Sequence, residues 1–399
     1  MKILFMTVGT GVGKNDEKVK NLAHGLVFAI ITHNPDKVVF FGSEKSADTV
    51  AEVKRQYLEK MGKELGSKKC EFVKINRIDD FYDCYTSIEN KMKEYEGQEI
   101  IIDYTSGTKT MTTSAAMVAM LYQKKLFITS GKRGENGIVI PGTEEMKSQN
   151  LFAAYDKYSL DKAKGAFNSH RYRDAKNYLM QIVALEEKNE YLGIVEGYDL
   201  WDKFDHEKAM RVMEEIKNPI CDQNKAFLGQ LNSTKKSGKL VEKFLIPDLL
   251  NNALRRIEEG KYDDATARLY RCVEMIAQYR LKSKHGLNPS EIKFADLDTK
   301  PLRNLWKYEK KKDGKGIITL AMKNSFELLK DLEDEIGNVI DDNELNDLLK
   351  KRNISILAHG IEPVKREDAE KLYKKTLGVS YKVVDNLEEL MAKSAFPKL

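Results

Sequence analysis

The first part of the chain alternates short apolar runs with longer segments whose apolar residues recur at helical spacing. The apolar runs, rich in β-branched and aromatic residues, are KILFMTV, KVVFFGS, CEFVKIN, EIIIDYTSG and KLFITSG. Between them, the spacing predicts helices over residues 17–32, 47–65, 81–95 and from the fourth run up to Gln123. Strands that alternate with helices are typical of a parallel sheet covered on both faces. We therefore predict a doubly wound, Rossmann-like α/β unit over residues 1–148, with GENGIVIPG as an added edge strand.

The pattern changes near residue 150, where strand signals stop and long segments with helical periodicity follow. Two stretches, YRDAKNYL (Tyr172–Leu179) and YDDATARL (Tyr262–Leu269), align without gaps, and each opens an amphipathic helix after a short turn. This repetition indicates stacked helical hairpins, although two clear copies are too few for a solenoid. A polar run, QLNSTKKSGK, predicts a boundary. We predict a helical connector over residues 149–235 and an all-α domain over residues 236–399.

Composition narrows the class of protein only a little. A length of 399 residues favours more than one domain, and 41% hydrophobic with 32% charged residues is typical of soluble proteins. The net charge of +5 is compatible with a nucleic-acid partner but is far from that of a basic coat protein. No stretch approaches the roughly 18 apolar residues of a membrane span, and the apolar start meets glycines instead of a cleavage site. We expect a cytoplasmic protein with no membrane partner.

The four cysteines lie far apart: Cys70, Cys84, Cys221 and Cys272. They form no CxxC pair, and no histidine has the spacing of a zinc site. We expect reduced thiols and no metal site.

Two loops follow predicted strands at the edge of the sheet where ligands of doubly wound folds bind. The first, TVGTGVGKN, contains Gly9, Gly11 and Gly13. These glycines let backbone N–H groups approach a ligand closely, and Thr10 adds a hydroxyl. A dinucleotide motif counted from Gly9 fails at Lys14, and a P-loop fails because Asn15 follows that lysine. The loop therefore supports neither a dehydrogenase nor an NTPase.

The second loop, DYTSGTKTMTTSAA, carries a dense set of polar groups from a strand into a helix. Its polar residues and glycine are Thr105, Ser106, Gly107, Thr108 and Lys109. Hydroxyls, a glycine and a lysine at a helix N-terminus suit phosphate or ribose groups. In the alternative interpretation, Thr105 or Ser106 only caps the helix and Lys109 is solvated.

The TVGTG start together with DYTSGTKTMTTSAA resembles the CRISPR-associated Rossmann fold (CARF), whose paired domains bind cyclic oligoadenylate. The resemblance covers about the first 145 residues. It implies a binding site shared across a two-fold axis and formed by Gly9, Thr10, Gly11 and Thr105 to Lys109, with Lys109 the best candidate for phosphate contact. Two residues of neighbouring loops, Ser43 and Arg77, are further candidates to reach the base. Their alternative is ordinary loop surface.

Near the C-terminus, NDLLKKRNISILAHGIEP places Arg352 and His359 seven residues apart. This is nearly two helical turns, so we predict both side chains, with Ser355 and Ile356 between them, on one face of a helix. An arginine can stabilise charge on phosphate oxygens while a histidine transfers a proton. RNA supplies its own nucleophile, the 2′-hydroxyl, so the reaction requires no metal. In the alternative, Arg352 is a surface residue and His359 caps the helix before Gly360.

The segment RNISILAHG resembles the signature helix of HEPN ribonucleases, and EEGKYDDATARLYRCVEMIAQYRL resembles the early helices of HEPN domains fused to CARF domains in type III CRISPR ribonucleases. The resemblance implies a homodimer whose two copies of Arg352 and His359 form one composite cleft. Asn353 would orient the pair or the substrate phosphate. The other histidines are expected to lie on helix surfaces or in turns without a functional role: His24, His33, His170, His206 and His285.

Together, these resemblances imply a metal-independent endoribonuclease of type III CRISPR antiviral defence. We expect it to cleave single-stranded RNA, leaving a 2′,3′-cyclic phosphate, after activation by cyclic tetra-adenylate or cyclic hexa-adenylate. We expect no further cofactor and no stable DNA binding. One alternative is a nucleotide-binding regulator or assembly protein without nuclease activity. Another is an enzyme that also degrades its own activator, a ring nuclease.

Overall fold

The computed structural model of the protein describes residues 1–11, 17–66, 68–133, 139–302 and 304–399. These residues form two compact units. The N-terminal unit comprises residues 1–159 and 182–185, and the C-terminal unit comprises residues 160–181 and 186–399. The helical part is thus one compact unit, and its division at residue 235 into a connector and a final domain stays a prediction.

The N-terminal unit is built on a six-stranded sheet. Its strands are β1 (Lys2–Val8), β2 (Lys37–Gly42), β3 (Cys70–Lys74), β4 (Glu99–Asp103), β5 (Lys125–Ser130) and β6 (Glu145–Gln149). The order is β3-β2-β1-β4-β5-β6, with the first five parallel and β6 antiparallel to β5. The helices are α1 (Glu17–His33), α2 (Ala47–Met61), α3 (Phe81–Glu94) and α4 (Lys109–Leu121). The predicted doubly wound fold is confirmed, with its switch point between β1 and β4.

Alternate residues of the central strand β1 belong to two separate apolar cores, one on each face of the sheet. Phe5 of β1 packs with Ile88 of α3 and Met111 of α4 on one face of the sheet. Met6 packs with Leu26 of α1 and other residues on the opposite face. Since both faces are covered, the strand is apolar at nearly every position.

The edge strand is the element that the sequence placed wrongly. We predicted it at GENGIVIPG, of which residues 134–138 lie outside the described part of the chain, and Val139 makes only an isolated bridge with Arg133. The antiparallel edge strand is β6, with the sequence EMKSQ. This polar sequence suits an exposed edge, where charged side chains discourage pairing with other chains, and it gives no apolar alternation to detect.

The C-terminal unit is helical. After α5 (Phe152–Asn168), which begins in the N-terminal unit, its helices are α6 (Tyr172–Met180), α7 (Lys188–Asp202), α8 (His206–Glu214), α9 (Asp222–Lys236), α10 (Glu242–Glu258), α11 (Tyr262–His285), α12 (Phe294–Asp298), α13 (Leu305–Glu309), α14 (Met322–Asp331), α15 (Asn343–Ile354), α16 (Arg366–Tyr381) and α17 (Leu387–Ser394). A two-residue pairing of β7 (Ile292–Lys293) with β8 (Ile317–Ile318) departs from the all-helical prediction. Among the described residues, no helix combines the length and the apolar character that crossing a bilayer requires.

Three helical hairpins of this unit share one turn, which we call the repeated turn. Its left-handed residues are His170 (φ 60°), Phe204 (φ 64°) and Gly260 (φ 74°). The next N–H donates in each case to a carbonyl of the preceding helix: Arg171 to Ala166 (2.9 Å), Asp205 to Leu200 (3.0 Å) and Lys261 to Arg256 (2.8 Å). Fully buried alanines follow at Ala175, Ala209 and Ala265. The aligned stretches therefore each open the second helix of a matching hairpin. The segment FDHEKAM, residues 204–210, does the same in a third hairpin.

Candidate functional site

The two polar loops of the N-terminal unit meet because β1 and β4 are neighbours in the sheet. The backbone N–H of Gly9 donates to the hydroxyl of Ser106 (3.0 Å), and the hydroxyl of Thr7 donates to the carbonyl of Ser106. An added Cβ at Gly9 would lie 3.3 Å from backbone atoms of Gly107, whose own φ is +118°. Both glycines are therefore needed for the loops to lie in contact.

A cavity of about 390 Å³ opens between these loops. It is lined by seven of the ten residues that the sequence assigned to a ligand: Gly9, Thr10, Gly11, Thr105, Ser106, Gly107 and Thr108. Hydroxyl groups and loop backbone dominate this wall, as the sequence predicted. The arrangement can hydrogen-bond phosphate or ribose oxygens without a charged side chain from these loops.

The other three assigned residues do not line the cavity within the described chain. Ser43 precedes a short 3₁₀ turn, with its hydroxyl 3.1 Å from that of Ser46. Arg77 forms an ion pair with Asp83 (2.6 Å), and Lys109 is exposed on the first turn of α4. Their contact with a ligand stays a prediction.

The N-cap of α4 is not one of the two residues named in the alternative interpretation of this loop. Thr108 is the N-cap of α4: its hydroxyl accepts from the N–H of Met111 (3.2 Å) and donates to the carbonyl of Ile78 (2.9 Å). The alternative in which Thr105 or Ser106 only caps the helix is therefore not what the structure shows. Both of these side chains instead bond to other loops and strands of the sheet edge.

The buried carboxyl group of Asp103 accepts a hydrogen bond from the backbone of Thr105. The N–H of Thr105 donates to Asp103 (2.9 Å), and its hydroxyl accepts from the N–H of Thr129 (2.7 Å). Asp103 is fully buried, and this burial raises the pKa of its carboxyl group to about 6, against the lowering effect of its bonds to Thr105. Its second oxygen and the hydroxyl of Thr129 have no hydrogen-bond partner among the residues that the structure describes.

The C-terminal site is not the continuous helix that we predicted. Helix α15 ends at Ile354, and Ser355 is extended; its N–H (3.2 Å) and its hydroxyl (2.9 Å) both donate to the carbonyl of Arg352. The chain then turns back, and the N–H of His359 donates to the carbonyl of Asn353 (3.1 Å). The prediction of one helical face holding Arg352 and His359 is therefore wrong, although the turn returns His359 to the end of α15.

The Arg352 guanidinium is placed by a neighbouring helix. Its Cζ atom lies 5.0 Å from the ring centroid of Tyr270 in α11, and its Nη1 lies 3.3 Å from the amide oxygen of Asn353. No acidic side chain of the described residues pairs with it. Since Asn353 and His359 are exposed, a guanidinium, an amide and an imidazole near one turn are open to a substrate.

Two family models match the second part of the chain. The Csm6 6H domain matches residues 155–245, and the Csm6 HEPN domain matches residues 234–381. Together the matches span more than half of the chain. The chain belongs to the Csm6 family.

Among solved structures, Enterococcus italicus Csm6 bound to cyclic hexa-2′-fluoro-hexa-dAMP shares the fold with a TM-score of 0.62. The alignment covers 99% of this chain and 98% of that chain at 14% sequence identity. No curated protein sequence matches. The predicted CARF–HEPN organisation is confirmed, and with it a place in a nuclease family linked to cyclic oligoadenylate.

In this Csm6-type chain the N-terminal cavity has a second wall that sequence reasoning missed. It includes Asn21, Leu22 and His24 of α1, together with Glu144. Nδ1 of His24 lies against a Glu144 carboxylate oxygen, and its Nε2 lies 3.1 Å from the Lys60 ammonium. Burial and Lys60 lower the pKa of His24, with Glu144 opposing them. A helical pattern alone does not indicate which turn of α1 faces the loops, so no sequence signal identified this wall.

The segment around the HEPN turn also exposes large apolar side chains, which we call the apolar patch. They are Ile354 (48% exposed), Ile356 (72%), Leu357 (47%) and Ile361 (89%). Four such residues within eight positions are unusual on a free surface. This part of the Csm6 chain is therefore suited to contact with another molecule.

Proposed function

We propose that the protein is an endoribonuclease that cuts single-stranded RNA when cyclic oligoadenylate occupies the N-terminal cavity. The observation that carries the proposal is the turn after α15. It leaves Arg352 without an acidic partner among the described residues, and it ties the main chain of the exposed residue His359 to Asn353 (3.1 Å). Family membership supports a ribonuclease reaction at this turn.

The proposed reaction is an internal displacement on the RNA. The 2′-oxygen attacks the adjacent phosphorus and loses its proton to an imidazole, while the bond from phosphorus to the 5′-oxygen breaks. That oxygen takes a proton from an imidazolium, leaving a 2′,3′-cyclic phosphate and a 5′-hydroxyl. Arg352 stabilises the charge on the phosphate oxygens. Because the substrate contains its own nucleophile, we propose that no metal is required, and DNA, which lacks the 2′-hydroxyl, would not be cut.

We propose that the protein acts as a homodimer through the apolar patch. Ile356 and Ile361 flank His359 in sequence and are largely exposed in the single chain. A two-fold contact buries the same patch on both copies, so it would bring two Arg352–His359 pairs to one cleft. Burial of these side chains supplies a driving force for association.

As the activator, we propose cyclic hexa-adenylate first and cyclic tetra-adenylate second. The ranking comes from the cyclic hexa-nucleotide in the similar Enterococcus italicus protein. The cavity of about 390 Å³ is small for a whole ring, so two copies of the cavity would share it across a two-fold axis. Activation requires that the ring bind the cutting state more tightly than the idle state.

The deciding experiment is cleavage of a fluorescent RNA in EDTA, with cyclic tri-, tetra- and hexa-adenylate added separately. We compare wild type with His359→Ala and Arg352→Ala, and with Arg366→Ala as a matched control, since Arg366 is exposed and pairs only with Glu370 within the described chain. The proposal is supported if cleavage requires one of the three cyclic oligoadenylates and is lost in His359→Ala and Arg352→Ala. If no ring gives cleavage by the folded dimer, a nucleotide-binding regulator is the better function.

We propose a second activity, slow degradation of the activator in the N-terminal cavity, because an imidazole and loop hydroxyls line the same space. The residues are His24, Thr10 and Thr105. Excess protein incubated with cyclic hexa-adenylate should yield linear products by chromatography. An intact ring after long incubation would remove this activity.

A further inference from the structure

Beside the HEPN turn, the C-terminal unit has a second cavity, of about 470 Å³, that the sequence did not indicate. It lies between α11, α14, α15 and the 3₁₀ segment over Glu335–Asp341. Its floor is apolar and almost fully buried, formed by Val273, Phe326 and Leu345. A flat, largely apolar molecule can lie against such a floor without leaving polar groups unpaired.

The rim of this cavity is polar and carries both signs of charge: Lys350 pairs with Asp347 (2.8 Å), and Lys323 adds a further positive charge. The amide nitrogen of Asn346 donates to the carbonyl of Ile340 (2.6 Å), and its amide oxygen has no hydrogen-bond partner among the described residues. The Asn343 amide is exposed and has no hydrogen-bond partner among the described residues. Lys323 on the same rim forms no ion pair within that part of the chain. These groups suit a ligand that has hydrogen-bonding edges and a nearby negative charge.

Two residues connect the cavity to the Arg352 guanidinium. Tyr270 lines the cavity and also holds Arg352 over its ring at 5.0 Å. Asn353 lines the cavity and has its amide oxygen 3.3 Å from Nη1 of Arg352. A nucleotide whose phosphate contacts Arg352 therefore has a cavity within reach of its base.

We propose that this cavity binds the base of the nucleotide next to the cleaved phosphate and sets the sequence preference of the enzyme. The proposal rests on the ribonuclease function proposed above. Asparagine amides pair with the N6 and N7 edge of adenine, and aromatic and apolar walls accept the face of an unstacked base. We therefore expect adenine to be preferred.

The first test maps the ends of fragments cut from a pool of random-sequence RNA. The variants are Asn343→Ala, which removes the free amide, and Val339→Phe, which fills the cavity. The control is Asn338→Ala, since Asn338 is exposed on the same 3₁₀ segment but does not line the cavity. Wild type and control should show adenine enriched at one position beside the cut, and both variants should reduce the enrichment about tenfold.

The same base distribution in all four proteins, or no enrichment in wild type, would overturn the proposal while leaving the ribonuclease intact. The proposal would also be overturned if Val339→Phe changed the oligomeric state measured by sedimentation but left the base preference unchanged. That result would assign the cavity to a side chain of a second copy.

A second measurement separates the base site from the cutting reaction. Fluorescent hexamers of A, U, C and G are titrated into His359→Ala protein, alone and combined with Asn343→Ala or Asn338→Ala. Weaker A-hexamer binding with Asn343→Ala than with Asn338→Ala supports the site, even if wild type never cuts RNA. Equal affinities overturn it. Because both double variants keep the N-terminal cavity, adenine binding there cancels in the comparison.

Discussion

The backbone N–H of His359 donates a hydrogen bond to the carbonyl oxygen of Asn353 at 3.1 Å. The main chain of His359 is thus tied to Asn353, the residue after Arg352, although the helix has already ended. The turn depends on its last residue, because a Cβ at Gly360 would lie 2.0 Å from the carbonyl oxygen of Ile354.

Gly360→Ala should therefore displace His359 and reduce RNA cleavage by about a hundredfold. Cleavage rates with saturating activator, together with thermal unfolding, provide the measurement. Gly378→Ala is the matched control: its Cβ would meet nothing within 4 Å on α16, so activity should be unchanged. Wild-type activity in Gly360→Ala would show that the turn does not position the histidine.

Ser106→Ala should weaken binding of cyclic hexa-adenylate about fivefold, because the N–H of Gly9 loses its partner and the two loops separate. Isothermal titration calorimetry gives the affinity. Ser43→Ala serves as the comparison, since Ser43 does not line the cavity. Loss of affinity in Ser43→Ala, with none in Ser106→Ala, would show that the ligand depends on Ser43 and not on the bond between the two cavity loops.

Asp103 should make the protein less stable as the pH rises from about 4 to 6. The folded-state pKa is raised to about 6 by burial, so the folded state holds a proton that the unfolded chain has already released. Stability contributed by the neutral carboxyl group is present below this window and is lost through it, by about 3 kcal/mol.

Asp103→Asn removes this titration and should flatten the decline over the same window. Urea unfolding at pH 4, 5, 6 and 7 measures it. Asp48→Asn, at an exposed position on α2, is the control and should follow wild type. Parallel curves for Asp103→Asn and wild type would contradict the assignment.

Ile356→Glu should convert the dimer to a monomer and abolish RNA cleavage without unfolding the C-terminal unit, because the side chain is 72% exposed in the single chain. Sedimentation velocity and circular dichroism report the two properties. Met180→Glu, at a residue 60% exposed elsewhere in this unit, should remain dimeric and active. A dimeric, active Ile356→Glu protein would place the subunit contact elsewhere.

The sequence predicted the features that depend on local pattern. Strands such as β1 are apolar on both faces, and the helices between them have clear periodicity, so the doubly wound order followed. The two loops were found because each carries polar residues directly after a strand. The cavity wall from His24 and Glu144 was missed because it depends on which helix turn faces the loops.

The error at the C-terminal site also arose because local sequence pattern does not report tertiary contacts. Spacing alone treats residues 352–359 as a regular helix, and Ser355 looks acceptable there. In the structure Ser355 is instead extended and the helix ends at Ile354. Ser355 is completely buried, and burial of a residue by other parts of the chain is a tertiary feature that residue spacing does not report.

The position of β1 in the sheet has a consequence for synthesis of the protein. β1 is synthesised well before β4, yet it pairs with β4 on one side, and Lys2 lies opposite Glu99. Domains form as units once their chain is available, so the apolar β1 must stay unpaired on that side while the intervening residues are made. The cavity, whose walls extend from Gly9 to Glu144, cannot exist on a shorter nascent chain. A ribosome-bound fragment that stops before β4 would therefore lack the cavity that we propose as the site of the activator.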